Sequence, residues 1–101
     1  MTSDCWAIKD FHMFHKVTSN AIESVSLAIK NGCDLNCGNL YGHIMEAYNE
    51  GALTEEDIRT AATNLMTIQM RLGFFDKNVP FDSISYDVVD SAEHRAFNYE
   101  V

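Results

Sequence analysis

The chain has little proline, little glycine and little positive charge. One Pro and five Gly among 101 residues are too few for a fold built mainly from turns and loops. Seven Lys and Arg stand against 15 Asp and Glu, a formal net charge of −8. Phosphate backbones are held by basic surfaces, so this balance argues against a nucleic-acid partner and equally against an anionic membrane surface. No apolar run approaches the roughly 20 residues that span a bilayer. No charged-then-apolar leader opens the sequence, although the true N-terminus can lie upstream of it. The three Cys are an odd count without the spacing of a small cross-linked scaffold. No disulfide framework is expected, and a reducing, cytoplasmic setting is the default.

What remains is an ordinary globular composition, 47% hydrophobic and 22% charged, of a length that suits one small domain. Residues 1–8 suit a short strand and its turn. "KDFHMFHKV", residues 9–17, has no clean period and is expected to be a loop with one helical turn. In "TSNAIESVSLAIKNG", Ile22, Val25 and Ile29 share a helical face beside Ala21 and Ala28, Ser19 or Asn20 can cap the start, and Gly32 stands at the stop. "CDLNCG", residues 33–38, suits a brief strand or a turn. A helix follows through Leu40, Ile44 and Ala47 to Gly51. The strongest helix runs from Thr54, with Asp57 placed to return the capping bond, along a stripe of Ile58, Ala61, Leu65, Ile68 and Leu72 to Gly73. Residues 74–90 lose the helical period, and a last helix can start at Ser91. Strands alternating with helices point to a parallel β/α layer. Two short strands do not make a sheet by themselves, so the pattern suggests an α/β piece, mainly helical, of a larger structure.

Several constellations can be weighed. Cys5, His12, His15, Cys33, Cys37 and His43 include loosely acceptable ligand spacings but no finger or ribbon, so buried thiols and satisfied histidines are the plainer expectation, and no metal or cofactor is assigned. Asp34 and Asn36 begin like a calcium loop, but the positions that need Gly and Glu hold Asn39 and Met45. Trp6, Phe11, Phe14 and Tyr41 can stack on a sugar ring, yet such residues more often fill a core. Asp4 is a lone carboxylate whose weight depends on its place: in a parallel β/α barrel, catalytic groups stand at the C-terminal ends of strands, and "TSD" followed by an aromatic loop has that arrangement.

"SDCWAI", "GCDLNCGNLY", "LTEEDIRTAATNLMTIQMRLGFFD" and "DVVDSAEHRA" occur in an order and spacing that resembles glycoside hydrolase family 3, which contains β-glucosidases and β-xylosidases, and the resemblance covers essentially the whole chain. The wording of "CDLNCG" is most similar to the bacterial β-xylosidase and β-glucosidase branch. The resemblance implies that residues 1–75 are the last two β/α units of a (β/α)8 barrel, and residues 76–101 a linker toward a second domain. It implies that Asp4 is the nucleophile that forms a glycosyl-enzyme intermediate with retention of configuration. The family's other sugar-binding residues and its general acid/base fall outside this stretch, so the isolated chain is expected to be inactive and to act on its carbohydrate substrate only within the parent enzyme. Many members have Gly two residues after the nucleophile; here Trp6 stands there, a substrate-binding candidate that bears on glucoside against xyloside preference. The competing expectation is a non-catalytic helical module that self-associates or binds a partner through its apolar helix faces.

Overall fold

The computed structural model describes residues 1–101, and its regular structure is helical. Helix α1 spans Ala7–Met13, α2 Ala21–Lys30, α3 Ile44–Asn49, α4 Glu55–Arg71 and α5 Ala92–Glu100, with short 3-10 turns at Leu40–His43 and Tyr86–Val88. The expected strands shrink to a single parallel bridge between Thr2 and Leu35. Parallel pairing is stable when both edges find neighbours, and each of these segments has only the other. The expectation of a mainly helical chain holds, while its α/β part is corrected: no strand forms, only one β contact. A second correction is α1 itself, seven residues long where a loop with one helical turn was expected. Its Ile8 is buried and Phe11 partly so, so packing supplies what the irregular pattern of aromatics and histidines hides.

The chain divides into two compact units, Met1–Gln69 and Met70–Val101. The first is organised around α2. Asn20 caps that helix, its side chain accepting from the Glu23 N–H at 2.9 Å, and the Glu23 carboxylate returns a bond to the Ser19 N–H at 2.8 Å. Val25, Ala28 and Ile29 are buried with Ile8, Cys33, Leu40, Ala47 and Leu53 to form the core. α1, α3 and the 3-10 turn at Leu40–His43 all pack on α2. Ser24 is fully buried among these apolar groups. Its hydroxyl is satisfied three times, by Thr18 Oγ1 at 2.6 Å, His12 Nδ1 at 2.9 Å and the Asn20 carbonyl at 2.9 Å, which offsets the cost of taking a polar group out of water. At the C-terminal end, Gly32 adopts φ +84°. The Cys33 N–H returns to the Ala28 carbonyl at 3.0 Å, and the chain leaves the helix directly into 33–38.

α4 begins as expected. Thr54 Oγ1 accepts from the Asp57 N–H at 3.1 Å, and the Asp57 carboxylate accepts from the Thr54 N–H at 2.8 Å. The Thr54 hydroxyl also donates to the Asp57 carboxylate at 2.7 Å, and this bond first, then the one from the Thr54 N–H, holds the Asp57 carboxyl below its ordinary range. The expected buried stripe is only half realised. Ile58 and Ala61 lean on the core, but no residue of α4 is buried, and Ile68 is 55% exposed. The second unit contains the end of α4, the 3-10 turn at Tyr86–Val88 and α5, which Ser91 caps by accepting from the His94 N–H at 3.2 Å. None of its residues is buried. No helix in the chain is long and apolar enough to cross a membrane.

The third correction concerns cysteine. Cys5 and Cys37 form a disulfide, their Cα atoms 4.4 Å apart across a sequence separation of 32, while Cys33 is free and buried. The bridge between residues 2 and 35 carries the two thiols together, which no sequence spacing announces. A loop of this length loses about 3–4 kcal/mol of unfolded-state entropy when closed. The cytoplasmic expectation rested in part on disulfides being absent and loses that support.

Protection from hydrogen exchange should follow burial and not helix length. The amides of Val25, Ala28 and Ile29 are expected to exchange last, and those of the second half of α4 at least about tenfold faster. Equal protection of both helices would show that α4 is covered by something other than the core described above.

Candidate functional site

The candidate site is the junction of residues 3–6 with residues 35–38. Two backbone bonds build it: the Ser3 N–H donates to the Leu35 carbonyl at 2.9 Å, and the Trp6 N–H to the Cys37 carbonyl at 2.7 Å. The Ser3 hydroxyl accepts from the Cys37 N–H at 2.9 Å and faces Asn36 Oδ1 at 3.4 Å. The disulfide adds a covalent tie. Between these anchors Asp4 is exposed to solvent. One of its carboxylate oxygens accepts from the Cys5 N–H at 2.8 Å, leaving the other oxygen without a protein donor. Asp4 also stands on the rim of a largely apolar cavity of about 540 Å³, whose walls include Ser3, Ile8, Phe11 and Ala28.

The backbone reverses at Trp6. This residue takes φ 68° and ψ −9°, the left-handed region, and hands the chain to α1. Bulky residues rarely adopt that conformation. It is the position where Gly was expected from the family pattern, and the geometry supplies the reason: Gly reaches a left-handed turn without cost. The indole, 56% exposed, lies over Gly38. A Cβ at Gly38 would sit 3.4 Å from Trp6 Cε3, and Gly38 itself has φ +146°. Trp6 and Asp4 are thus adjacent in the turn, but Trp6 does not line the cavity that Asp4 borders.

The other candidates disperse. Cys5 and Cys37 are consumed by the disulfide. His12 bonds Ser24, and His43 lies 2.6 Å from Glu46. No three His, Cys, Asp or Glu residues come together as a metal site. Asp34 turns to the N-terminal ammonium and to Asn64 Nδ2, the latter at 2.9 Å. Hydrogen bonds from these two groups, the ammonium first, hold its carboxyl below the ordinary range. Tyr41 gives its hydroxyl to the Cys33 carbonyl, and burial, then that bond, raise its pKa well above the usual phenol value. Phe11 packs on the core, whereas Phe14 is exposed. Sequence reasoning missed the supporting partners Cys37, Ser3 and Asn36. No spacing in the sequence connects "SDC" with "NCG", whose cysteines are 32 residues apart.

No family model matches the chain. Curated relatives do. Beta-D-xylosidase 1 of Arabidopsis thaliana is 37% identical over 97 residues, which are 94% of this chain and 12% of that protein. Probable beta-D-xylosidase 6 of the same plant is 33% identical over 104 residues, 99% of this chain and 13% of the relative. A probable exo-1,4-beta-xylosidase bxlB of Aspergillus clavatus is 33% identical over 94 residues, 90% of this chain and 12% of the relative. The chain therefore spans about an eighth of the length of the relatives it matches. These three relatives are plant and fungal proteins.

The left-handed turn at position 6 can be tested directly. Trp6→Gly and Trp6→Ala lose the same indole, but only Gly is at ease at φ 68°. Denaturant unfolding should find Trp6→Gly more stable than Trp6→Ala by about 1 kcal/mol. Equal midpoints would mean that the turn relaxes once the indole is gone.

Proposed function

We propose that this chain, a segment of glycoside hydrolase family 3 of the β-xylosidase type, carries the nucleophile of a retaining exo-β-glycosidase. The observation that carries the proposal is the exposed Asp4 carboxylate. It follows closely on the parallel Thr2–Leu35 bridge, between the Ser3 and Trp6 backbone bonds to residues 35 and 37, the kind of position from which barrel enzymes present catalytic groups. In that role an Asp4 oxygen attacks the anomeric carbon while a second carboxylic acid protonates the departing glycosidic oxygen. Water then cleaves the glycosyl ester, with the second group acting as base, and configuration is retained. That second group has no counterpart assigned in this chain, so the chain alone is inactive and the activity belongs to the whole enzyme. In the same view the Thr2–Leu35 contact is what survives of strands seven and eight of a (β/α)8 barrel, residues 1–75 are the barrel's closing part, and residues 76–101 are a linker.

The names of the relatives favour β-xylosides over β-glucosides as substrate. Trp6, an exposed aromatic beside Asp4, offers a face for the sugar ring. The Cys5–Cys37 bond favours an oxidising compartment over the cytoplasm.

The test places this segment in a complete β-xylosidase in exchange for the matching stretch. Asp4→Ala should lower turnover of an aryl β-xyloside by several powers of ten. A 2-fluoro xyloside, which slows breakdown of the glycosyl ester, should add one sugar to the peptide that contains Asp4. Near-normal turnover by the variant, or a label on another peptide, would end the assignment.

The isolated chain also exposes apolar surface in each unit, Ile68 in the first and Phe81 and Phe97 in the second among them. Self-association is expected, because soluble monomers seldom leave large apolar patches open. Sedimentation should give a mass above 11.4 kDa that rises with concentration; a constant monomeric mass contradicts it.

A further inference from the structure

We infer that the Cys5–Cys37 disulfide is a positioning device for the Asp4 carboxylate, and that Cys5, Cys37 and Ser3 are positioning residues for the proposed reaction. The inference rests on the reading of Asp4 as nucleophile, but its structural half does not.

The bonds around Asp4 run to one segment. Ser3, on one side, binds Leu35 through its N–H and Cys37 through its hydroxyl. Cys5, on the other side, is covalently joined to Cys37, and the Trp6 N–H binds the Cys37 carbonyl. Leu35–Cys37 therefore grips both flanks of Asp4. The Asp4 side chain has a single protein donor, the Cys5 N–H. The residue that orients the carboxylate is thus the residue that the disulfide immobilises. Without the covalent tie, the turn is left with hydrogen bonds at the edge of an exposed surface and with a left-handed tryptophan that favours another conformation. The core lies elsewhere: Val25, Ala28, Ile29, Ala47 and Leu53 are buried around α2, and neither sulfur of the bridge belongs to that set. The disulfide thus supports the site without supplying core packing. Cys5 is exposed, so a small dithiol can reach it. One thiolate of the dithiol attacks a cystine sulfur, and its second thiolate resolves the mixed disulfide. Two electrons pass to the protein, leaving Cys5 and Cys37 as thiols and the reductant as a cyclic disulfide.

The experiment compares the 101-residue chain oxidised and after treatment with dithiothreitol, alongside a Cys5→Ala, Cys37→Ala double variant. The far-UV helical signal and the amide protection of Val25 and Ile29 should stay. The Cys5 and Trp6 amides should exchange at least about tenfold faster. Emission from the single tryptophan should rise, since a neighbouring disulfide quenches indole fluorescence. Retained protection of the Cys5 amide after reduction overturns the inference. Simultaneous loss of the helical signal in both the reduced chain and the double variant also overturns it, because the bond would then hold the fold and not the turn. The functional half is read in the xylosidase carrying this segment. The double variant should lose kcat by about tenfold or more with little change in KM, the mark of a misplaced reacting group. An equal loss through KM, or no loss, overturns that half. If Asp4→Ala leaves turnover intact, the nucleophile assignment fails while the exchange and fluorescence results still judge the clamp.

Discussion

Val25, Ala28 and Ile29 leave water together because α1, α3 and the 3-10 turn at Leu40–His43 all close over the same side of α2. Leu53, arriving from the loop before α4, is buried in the same cluster. Burial on this scale, at about 25 cal/mol per Å² of apolar surface, is the main source of order in the first unit. The polar Ser24 is admitted only because three partners satisfy its hydroxyl. Everything at the candidate site is attached to this arrangement. The end of α2 aims residues 33–38, and residues 33–38 hold residues 1–6.

The candidate site shows a division of labour. A carboxylate that is to react must be exposed and directed, yet exposed side chains are free to rotate and exposed turns to fray. Here direction comes from the backbone: the Cys5 N–H faces the Asp4 carboxylate, and the turn that carries both is tied to the facing segment by hydrogen bonds and one covalent bond. The left-handed Trp6 is a local cost of roughly 1–3 kcal/mol borne at that turn.

The second unit behaves differently. Its elements are capped and begin properly, as Ser91 shows at α5, but nothing in it is buried. Caps decide where a helix begins; they do not supply the apolar contacts that make it persist. The same limit applies to α4, whose start is well specified and whose later turns project Ile68 into solvent.

Much of the local structure was legible from residue order alone. Asn20 and Gly32 bracket α2, Thr54 and Asp57 open α4, and the four motifs pointed to the β-xylosidase relatives, because caps, helical periods and motif wording are short-range properties. The strands were misjudged, since a strand is defined by its partners and only Thr2 and Leu35 find each other. The stripe on α4 was overestimated for a similar reason: a pattern shows which face is apolar, not whether anything covers it. α1 was underestimated because its core contacts lie in other elements. The disulfide could be decided only in three dimensions. Cys5 and Cys37 are 32 residues apart in sequence, and what brings them within bonding reach is the fold of α2 between them.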